Sequence, residues 1–254
     1  MKSFRAFTLA EVLITLGIVG VVAAMTLPTV IANIENARNV AVLRRAYSDV
    51  SKLLVLFDNE MSCDGNLKNC APGELEFVEK FSEYLIDKHK FTEIPANNRQ
   101  HAYISHKNFN KNDGGWPNGF LYMGGYLLKE RNGNYIINVG RNLQDNSYST
   151  ADYSHIRASV IIVTNPKKYY QQYRLRTGYD IFMAFINDKE KVVPGGSKFC
   201  GNTRKSQGYF CVNNYDNNEY CTRETNPTPG NQYDSNRGYG CFQRIIDDGW
   251  KITY

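Results

Sequence analysis

The chain has 254 residues, enough for one sizeable domain or two small ones, so fibrous and wholly disordered readings are poor. Hydrophobic residues make up 42% and charged ones 22%, and a formal net charge of only +5 excludes a polyelectrolyte tail and a protein that grips nucleic acid by bulk charge. These averages hide a contrast: from Phe7 to Leu27 there is a single ionisable residue, Glu11, while the remainder is rich in Asn, Tyr, Lys and Gly.

Lys2 and Arg5 precede a run of about twenty apolar residues, the length that crosses a ~30 Å hydrocarbon layer at 1.5 Å per residue. A membrane span is therefore predicted. Basic residues favour the cytoplasmic side, which places Lys2 and Arg5 there and everything after Pro28 on the far side. Six cysteines, Cys63, Cys70, Cys200, Cys211, Cys221 and Cys241, all lie beyond the span. No two have C-x-x-C spacing, so disulfides in an oxidising compartment are a simpler reading than a zinc ribbon. Val22-Ala23-Ala24 would also suit cleavage of a secretory signal peptide. Glu11 argues against that, because a carboxylate costs roughly 2.5–3.5 kcal/mol at the centre of a membrane helix and signal peptides avoid such charges. Thr8-Leu9-Ala10-Glu11 fits the S/T-x-x-E capping box, which accounts for a glutamate at a helix start without any function; in lipid the carboxylate also wants a positive partner.

Ala6-Phe7-Thr8-Leu9-Ala10-Glu11, followed by Val12-Leu13-Ile14-Thr15-Leu16, resembles the processing site of the type IV pilin and type II secretion pseudopilin superfamily. That resemblance implies a short basic leader, cut between Ala6 and Phe7 by a prepilin peptidase, and N-methylation of the new Phe7 amine. Ala6 departs from the glycine more usual before the cut. Glu11 becomes the fifth residue of the mature chain, where the family has its glutamate. On joining a filament, Glu11 would meet the Phe7 amine of a neighbour and both charges would be neutralised in an apolar core. Gly20 and Pro28 fall where the family has its helix-weakening residues; Pro28 reads equally well as the point where the helix leaves the membrane. Gly20 and Ala24 also form a small-xxx-small pair suited to close helix approach. Implied partners are the peptidase, other pilin or pseudopilin subunits and a membrane assembly platform.

Beyond Pro28, Val30, Ile31, Ile34, Ala37, Ala41, Leu43, Ala46, Val50, Leu54 and Phe57 recur at spacings of three and four, which predicts that the helix continues as an amphipathic stalk to about Asp58. Counted from Phe7, such a helix is about 75 to 80 Å long. Cys63 and Cys70 flank the turn-forming Asp64-Gly65-Asn66 and are the best local pair. A second helix is predicted over Glu74–Lys90, with Phe77, Val78, Phe81, Tyr84 and Leu85 on one face. Strands follow at Phe120–Leu128 and Tyr135–Val139 around Asn132-Gly133-Asn134, at Ile156–Val163, and at Asp180–Ile186 with Lys191–Val193 as a further hairpin. From Pro194 onward Gly, Asn, Tyr and four cysteines dominate, so this part is read as loop-rich and held by disulfides. Those four cysteines allow three connectivities, of which Cys200–Cys211 with Cys221–Cys241 is one. Asp247–Ile252 reads as a closing turn and edge strand.

The expected organisation is a leader (1–6), a membrane and polymerisation helix (7–28), an amphipathic stalk (29–60) and an extracytoplasmic head (61–254) whose region 194–254 is loop-rich. Its fold class is α+β and pilin-like: a long N-terminal helix packed on an antiparallel sheet. Neither HExxH, nor Gly-x-Ser-x-Gly, nor a phosphate-binding loop occurs, so no catalytic, cofactor-binding or metal-ligating residues are assigned. His101 and His106 read as solvated side chains, and Asp216-Asn217-Asn218-Glu219 as turn chemistry in preference to a calcium loop. Lys167, Lys168, Tyr169, Tyr170, Tyr173, Arg174 and Arg176 mix cations with aromatics as a surface for single-stranded DNA does, although a solvated connection between strands is favoured. The reading is a structural, non-enzymatic subunit of the bacterial inner membrane that passes into a pilus or secretion pseudopilus; its length favours a minor subunit. The alternatives are a DNA- or surface-binding head and, behind it, a membrane-anchored enzyme.

Overall fold

The computed structural model describes residues 8–95, 104–105, 125–140, 155–170, 175–176, 178–197, 221 and 241–253. Helix α1 is continuous from Leu9 to Met61, with Pro28 inside it. By its internal contacts the chain divides into two compact units, Met1–Arg38 and Asn39–Tyr254, and α1 contributes to both.

From Val12 to Ala32, within the first unit, α1 is apolar on all sides. Leu13, Leu16, Val19, Val22, Met25 and Leu27 are all more than half exposed, and no 3.6-residue stripe is singled out for burial. Helical periodicity returns in the second unit, where Val40, Leu43, Ala46, Val50, Leu54 and Phe57 are buried at spacings of three and four. Val30, Ile31 and Ile34, which continue the apolar pattern in the sequence, remain exposed.

A tight loop follows α1, closed by the Cys63–Cys70 disulfide with a Cα–Cα distance of 4.8 Å, and it contains the one-turn helix α2 (Leu67–Cys70). Helix α3 (Glu74–His89) starts with Glu74 and Glu76 in its first turn and ends with Lys88 and His89, as the helix dipole favours. Lys90 caps it in the left-handed conformation.

The head is built on a six-stranded, wholly antiparallel sheet in the order β1-β3-β4-β5-β7-β8. The strands are β1 (Thr92–Glu93), β3 (Tyr126–Lys129), β4 (Ile136–Gly140), β5 (Ile156–Val163), β7 (Ile181–Asn187) and β8 (Val192–Pro194). Strands β2 (Ile104–Ser105) and β6 (Leu175–Arg176) form a separate parallel pair, and helix α4 (Pro166–Tyr170) lies between β5 and β6 in the chain. The hairpin β3–β4 turns through Arg131–Asn134, with Gly133 at φ +70° where a side chain would be strained. Glu130, almost fully buried, organises that turn: its carboxylate accepts the backbone N–H of Asn132 at 3.0 Å and of Asn134 at 3.2 Å.

Both faces of the sheet are buried. Leu128, Ile137, Val139, Ala158, Val160, Ile162, Phe182 and Ala184 form one core with α1 and α3; Leu127, Ile136, Ile161, Val163, Ile181, Met183 and Phe185 form a second on the opposite face with Ile94, Tyr169 and Leu175. This double burial explains why Val160–Val163 is an unbroken apolar run, since a strand with one wet face alternates; the two polar residues earlier in the strand are buried with partners, Arg157 donating to the Ala71 and Pro72 carbonyls and Ser159 to the Gly140 carbonyl.

Two stretches differ from the sequence expectation: Pro166–Tyr170, favoured as part of a solvated connection, is a short helix with Tyr169 buried, and the C-terminal stretch differs as well. Cys241–Asp247 is a short helix, α5, followed by a turn at Asp248-Gly249, and Trp250–Thr253 form no strand. Phe242 and Ile245 are fully buried and join the first core, with Phe242 edge-on to Tyr47 at 5.5 Å between centroids. The Cys221–Cys241 disulfide, with Cα–Cα 4.9 Å, fastens its first residue. Local composition disguised this element because its burial is supplied by Tyr47, Phe182 and Trp250 from other parts of the head.

Candidate functional site

The start of α1 is a complete capping box. Thr8 donates its backbone N–H and its hydroxyl to Glu11 Oε2, each at 2.8 Å, and the Glu11 N–H donates to Thr8 Oγ1 at 3.2 Å. The first helical hydrogen bond runs from Val12 N–H to the Thr8 carbonyl, which makes Thr8 the N-cap. Glu11 is thus held by hydrogen bonds, at the head of a segment with no other ionisable residue as far as Ile34.

Around it the helix presents apolar surface in every direction. This is the one described helix long and apolar enough to cross a membrane, and none of its apolar window is buried among the described residues. Two polar side chains inside the span are satisfied locally: Thr15 Oγ1 donates to the Val12 carbonyl and Thr26 Oγ1 to the Val22 carbonyl, both at 2.9 Å. Sequence reading did not single out these threonines; the signal available was a hydroxyl one helical turn after a carbonyl in an otherwise apolar run. Gly20 sits mid-helix with nothing within 4 Å of where a Cβ would stand, so packing inside this chain does not require a glycine there. Gly17 is the same. Pro28 lies within the continuous helix. Ala6 and Phe7 lie outside the described residues.

In the head, the second half of α1 is tied to the sheet by polar links as well as by its apolar stripe. Asn39, 1% exposed, donates to the Tyr179 carbonyl at 3.0 Å and to Asp180 Oδ1 at 3.1 Å. Arg45 reaches Glu130 at 3.4 Å, and the Tyr135 hydroxyl donates to Asp49 at 3.0 Å. Burial, and after it the Asp49 carboxylate, push the Tyr135 hydroxyl far above its usual range, so it remains a donor. None of Asn39, Asp49 or Glu130 stood out in the sequence, because the partners that join them between α1 and the sheet region, Asp180, Tyr135 and Arg45, lie 85 or more residues away. The disulfide loop is fastened in the same manner: Asp188, 6% exposed, accepts from His155 Nδ1 at 3.0 Å and faces Lys68 Nζ at 3.4 Å. Burial alone would raise the Asp188 carboxyl; the His155 and Lys68 hydrogen bonds outweigh it and hold the group below its usual range.

Of the basic and aromatic cluster at Lys167–Arg176, three side chains are described. Tyr169 is 4% exposed and belongs to the second core, Lys168 is ion-paired at 3.2 Å to the fully buried Asp180, and Lys167 is exposed. Tyr173 and Arg174, and the side chains of Tyr170 and Arg176, lie outside the described residues, as do His101, His106, Cys200, Cys211 and Asp216–Glu219. Among the described residues no group of three or more His, Cys, Asp or Glu side chains is arranged to hold a metal ion.

Residues 1–27 match the family described as the prokaryotic N-terminal methylation motif. No curated protein and no solved structure matches the chain. The matched stretch contains Ala6, Phe7, the Thr8–Glu11 capping box and most of the exposed apolar helix, while the rest of the chain supplies an antiparallel sheet head with disulfides. This chain therefore opens with the prepilin-type segment of type IV pilins and pseudopilins and carries an α+β, pilin-like fold.

Proposed function

We propose that the protein is a structural, non-enzymatic subunit, a minor pilin or pseudopilin, of a type IV pilus or a type II secretion pseudopilus. Removal of residues 1–6 adds water across the Ala6–Phe7 bond and leaves an amine on Phe7; that amine takes a methyl group from a sulfonium-type methyl donor, giving up one proton, and as a secondary amine it stays protonated and cationic. The mature chain waits in the inner membrane with its head on the extracytoplasmic side. Glu11 of an incoming subunit then meets the Phe7 amine of a neighbour, and two charges that lipid tolerates poorly become one pair. Gly20 and the surrounding apolar side chains supply the close helix contacts, and Pro28 the point of adjustment. The disulfide-held head is what the filament displays.

The observation that carries this reading is the combination of a lone carboxylate at a capped helix start with an apolar helix window that is unburied among the described residues. Glu11→Ala tests it. Cleavage at Ala6–Phe7 is expected to persist, while recovery of the chain in filaments falls at least tenfold, since leaving one partner of a desolvated ion pair unpaired costs about 3–5 kcal/mol. Filaments of wild-type yield from this variant would overturn the pairing.

A further inference from the structure

The loop that closes α1 is held in shape by more than its disulfide. On the Cys63 side, the Cys63 N–H donates to the Asp58 carbonyl at 3.0 Å, and Asn69 Nδ2 donates to the Cys63 carbonyl at 2.9 Å. Between the cysteines, the Gly65 N–H donates to the Asp58 carboxylate at 3.1 Å, the Leu67 N–H donates to the Asp188 carbonyl at 2.8 Å, and the Leu67 side chain is fully buried in the first core. On the Cys70 side, three successive carbonyls are each taken by a cation: Lys80 Nζ donates to Cys70 at 2.9 Å, and Arg157 Nη2 donates to Ala71 and, at 2.9 Å, to Pro72.

Arg157 decides what this loop does when the bridge is open. The residue is 4% exposed, has no ion-pair partner among the described residues, and buries its Nε without an acceptor, so its guanidinium depends on the Ala71 and Pro72 carbonyls. If residues 70–72 moved away, a buried cation would lose both, and a charged donor left unsatisfied in the interior is costly. Opening the S–S bond removes none of these ties, so the entropy that separates two thiols in an unstructured loop has little to act on. The two sulfurs also differ in access. Cys63 is fully buried and Cys70 is half-buried, so a reagent from solution reaches Cys70.

We propose that the head keeps Cys63 and Cys70 in bonding position whether or not they are joined, which makes the pair a preset thiol–disulfide exchange site, entered at Cys70 and with Arg157 as its positioning residue. The reactant is a small thiol. Its thiolate attacks Cys70 Sγ, the bond between the two cysteine sulfurs breaks with its electron pair going to Cys63, and the Cys63 thiolate takes up, by way of water, the proton that the small thiol gave up. Cys63, deprotonated again and still held in place, attacks Cys70 Sγ of the mixed disulfide and expels the small thiolate. The bridge is restored with no oxidant consumed. Filament assembly plays no part in this chemistry, and Arg157 acts on it only through the carbonyls that follow Cys70.

The test uses the full chain in detergent, equilibrated with reduced and oxidised glutathione and quenched by alkylation. Masses of the peptide spanning Cys63 and Cys70 give the bridged fraction, and from it the effective concentration of one thiol at the other. In native buffer that concentration is expected to exceed its value in unfolding urea roughly thirtyfold, the factor equivalent to the stabilisation that closing a loop of this size supplies. Arg157→Met should lower the native value about tenfold and leave the urea value unchanged, while Arg157→Lys, which keeps a cation, should stay within about threefold of wild type. A residue that only stabilised the head as a whole would change the melting temperature without moving the glutathione equilibrium of the folded chain. If Arg157→Met lacks the native near-ultraviolet dichroism, Lys80→Met decides: that side chain is 40% exposed, the head should fold without it, and the native value should fall about threefold. The Cys70 thiol in Cys63→Ser should react with iodoacetamide about tenfold faster than the Cys63 thiol in Cys70→Ser. A native value equal to the urea value, an unchanged native value in Arg157→Met and Lys80→Met, or equal reactivity of the two thiols would each overturn the exchange site while leaving the proposed function standing.

Discussion

The two halves of α1 are made of similar residues and behave in opposite ways. From Leu9 to Arg38 the helix exposes Leu, Ile and Val on every side; from Asn39 to Met61 it buries one stripe of the same residue types and turns Arg44, Arg45 and Lys52 to solvent. Hydrophobicity alone does not distinguish a segment that folds against its own chain from one that awaits lipid or another subunit. What distinguishes them is the presence of a polar face. The second half has one because its surroundings are asymmetric, core on one side and water on the other, and residues 12–32 lack one, as a segment made for lipid does under the proposed function.

Truncations of equal chemistry should sharpen that contrast most. Phe57 is fully buried, edge-on to Phe77, Phe81 and Tyr84 at centroid distances of 5.8, 5.4 and 5.5 Å. Phe57→Ala should destabilise the head by about 3–5 kcal/mol in urea unfolding of the detergent-solubilised chain. Ile18→Ala removes a side chain 60% exposed in the chain and should leave the same transition within about 0.5 kcal/mol. Equal effects from the two would erase the distinction between a folded half and a waiting half.

Redox state should affect the head alone. The Cys63–Cys70 and Cys221–Cys241 bridges span 7 and 20 residues, and the chain-entropy argument assigns them about 2 and about 3 kcal/mol. Cys221→Ser with Cys241→Ser should therefore lower the melting temperature more than the matching change at Cys63 and Cys70, and release α5 with its buried Phe242. Helicity of residues 9–38, followed by site-specific labels in detergent, should be unchanged by reductant.

A smaller effect is expected from acid. The folded-state pKa of Asp188 lies below its unfolded value of about 3.9, so its contribution is present above pH ~4 and is lost as pH falls through the folded value. Because the carboxylate accepts charge-assisted hydrogen bonds from a nearly buried position, the loss should be on the order of 1 kcal/mol, and Asp188→Asn should flatten that part of the stability curve between pH 5 and 2. An unchanged profile in the variant would remove Asp188 from the acid response.

Much of this molecule is legible in its residues. Glu11 stands out because nothing else in the span can ionise, and Thr8 three residues before it names the cap. Cys63 and Cys70 lie close in sequence around a turn, so chain geometry nearly dictates that they meet. Strand β5 is visible as a β-branched run, yet its burial on both faces becomes evident only when Tyr169, Leu175 and Ile94 are placed on the second side. Asn39 is the opposite case: a polar residue between the apolar positions of the stalk is buried because Asp180, far along the chain, supplies its partner. Helix α5 escaped for the same reason, since a short, Gly- and Asn-flanked stretch carries no periodicity long enough to outweigh its composition, and Phe242 finds its pocket only through tertiary contact. Local patterns report local constraints; contacts across 85 or more residues leave no local trace.

The most direct measurement is the intact N-terminal mass of the chain extracted from bacterial membranes. The expected mature protein lacks residues 1–6 and begins at Phe7 carrying one added methyl group on its amine, with Glu11 retained. A chain that begins at Met25, as a conventional signal peptidase would leave it, or that keeps its six leader residues and an unmodified start, would contradict the pairing of Glu11 with a neighbour's amine and the assembly built upon it.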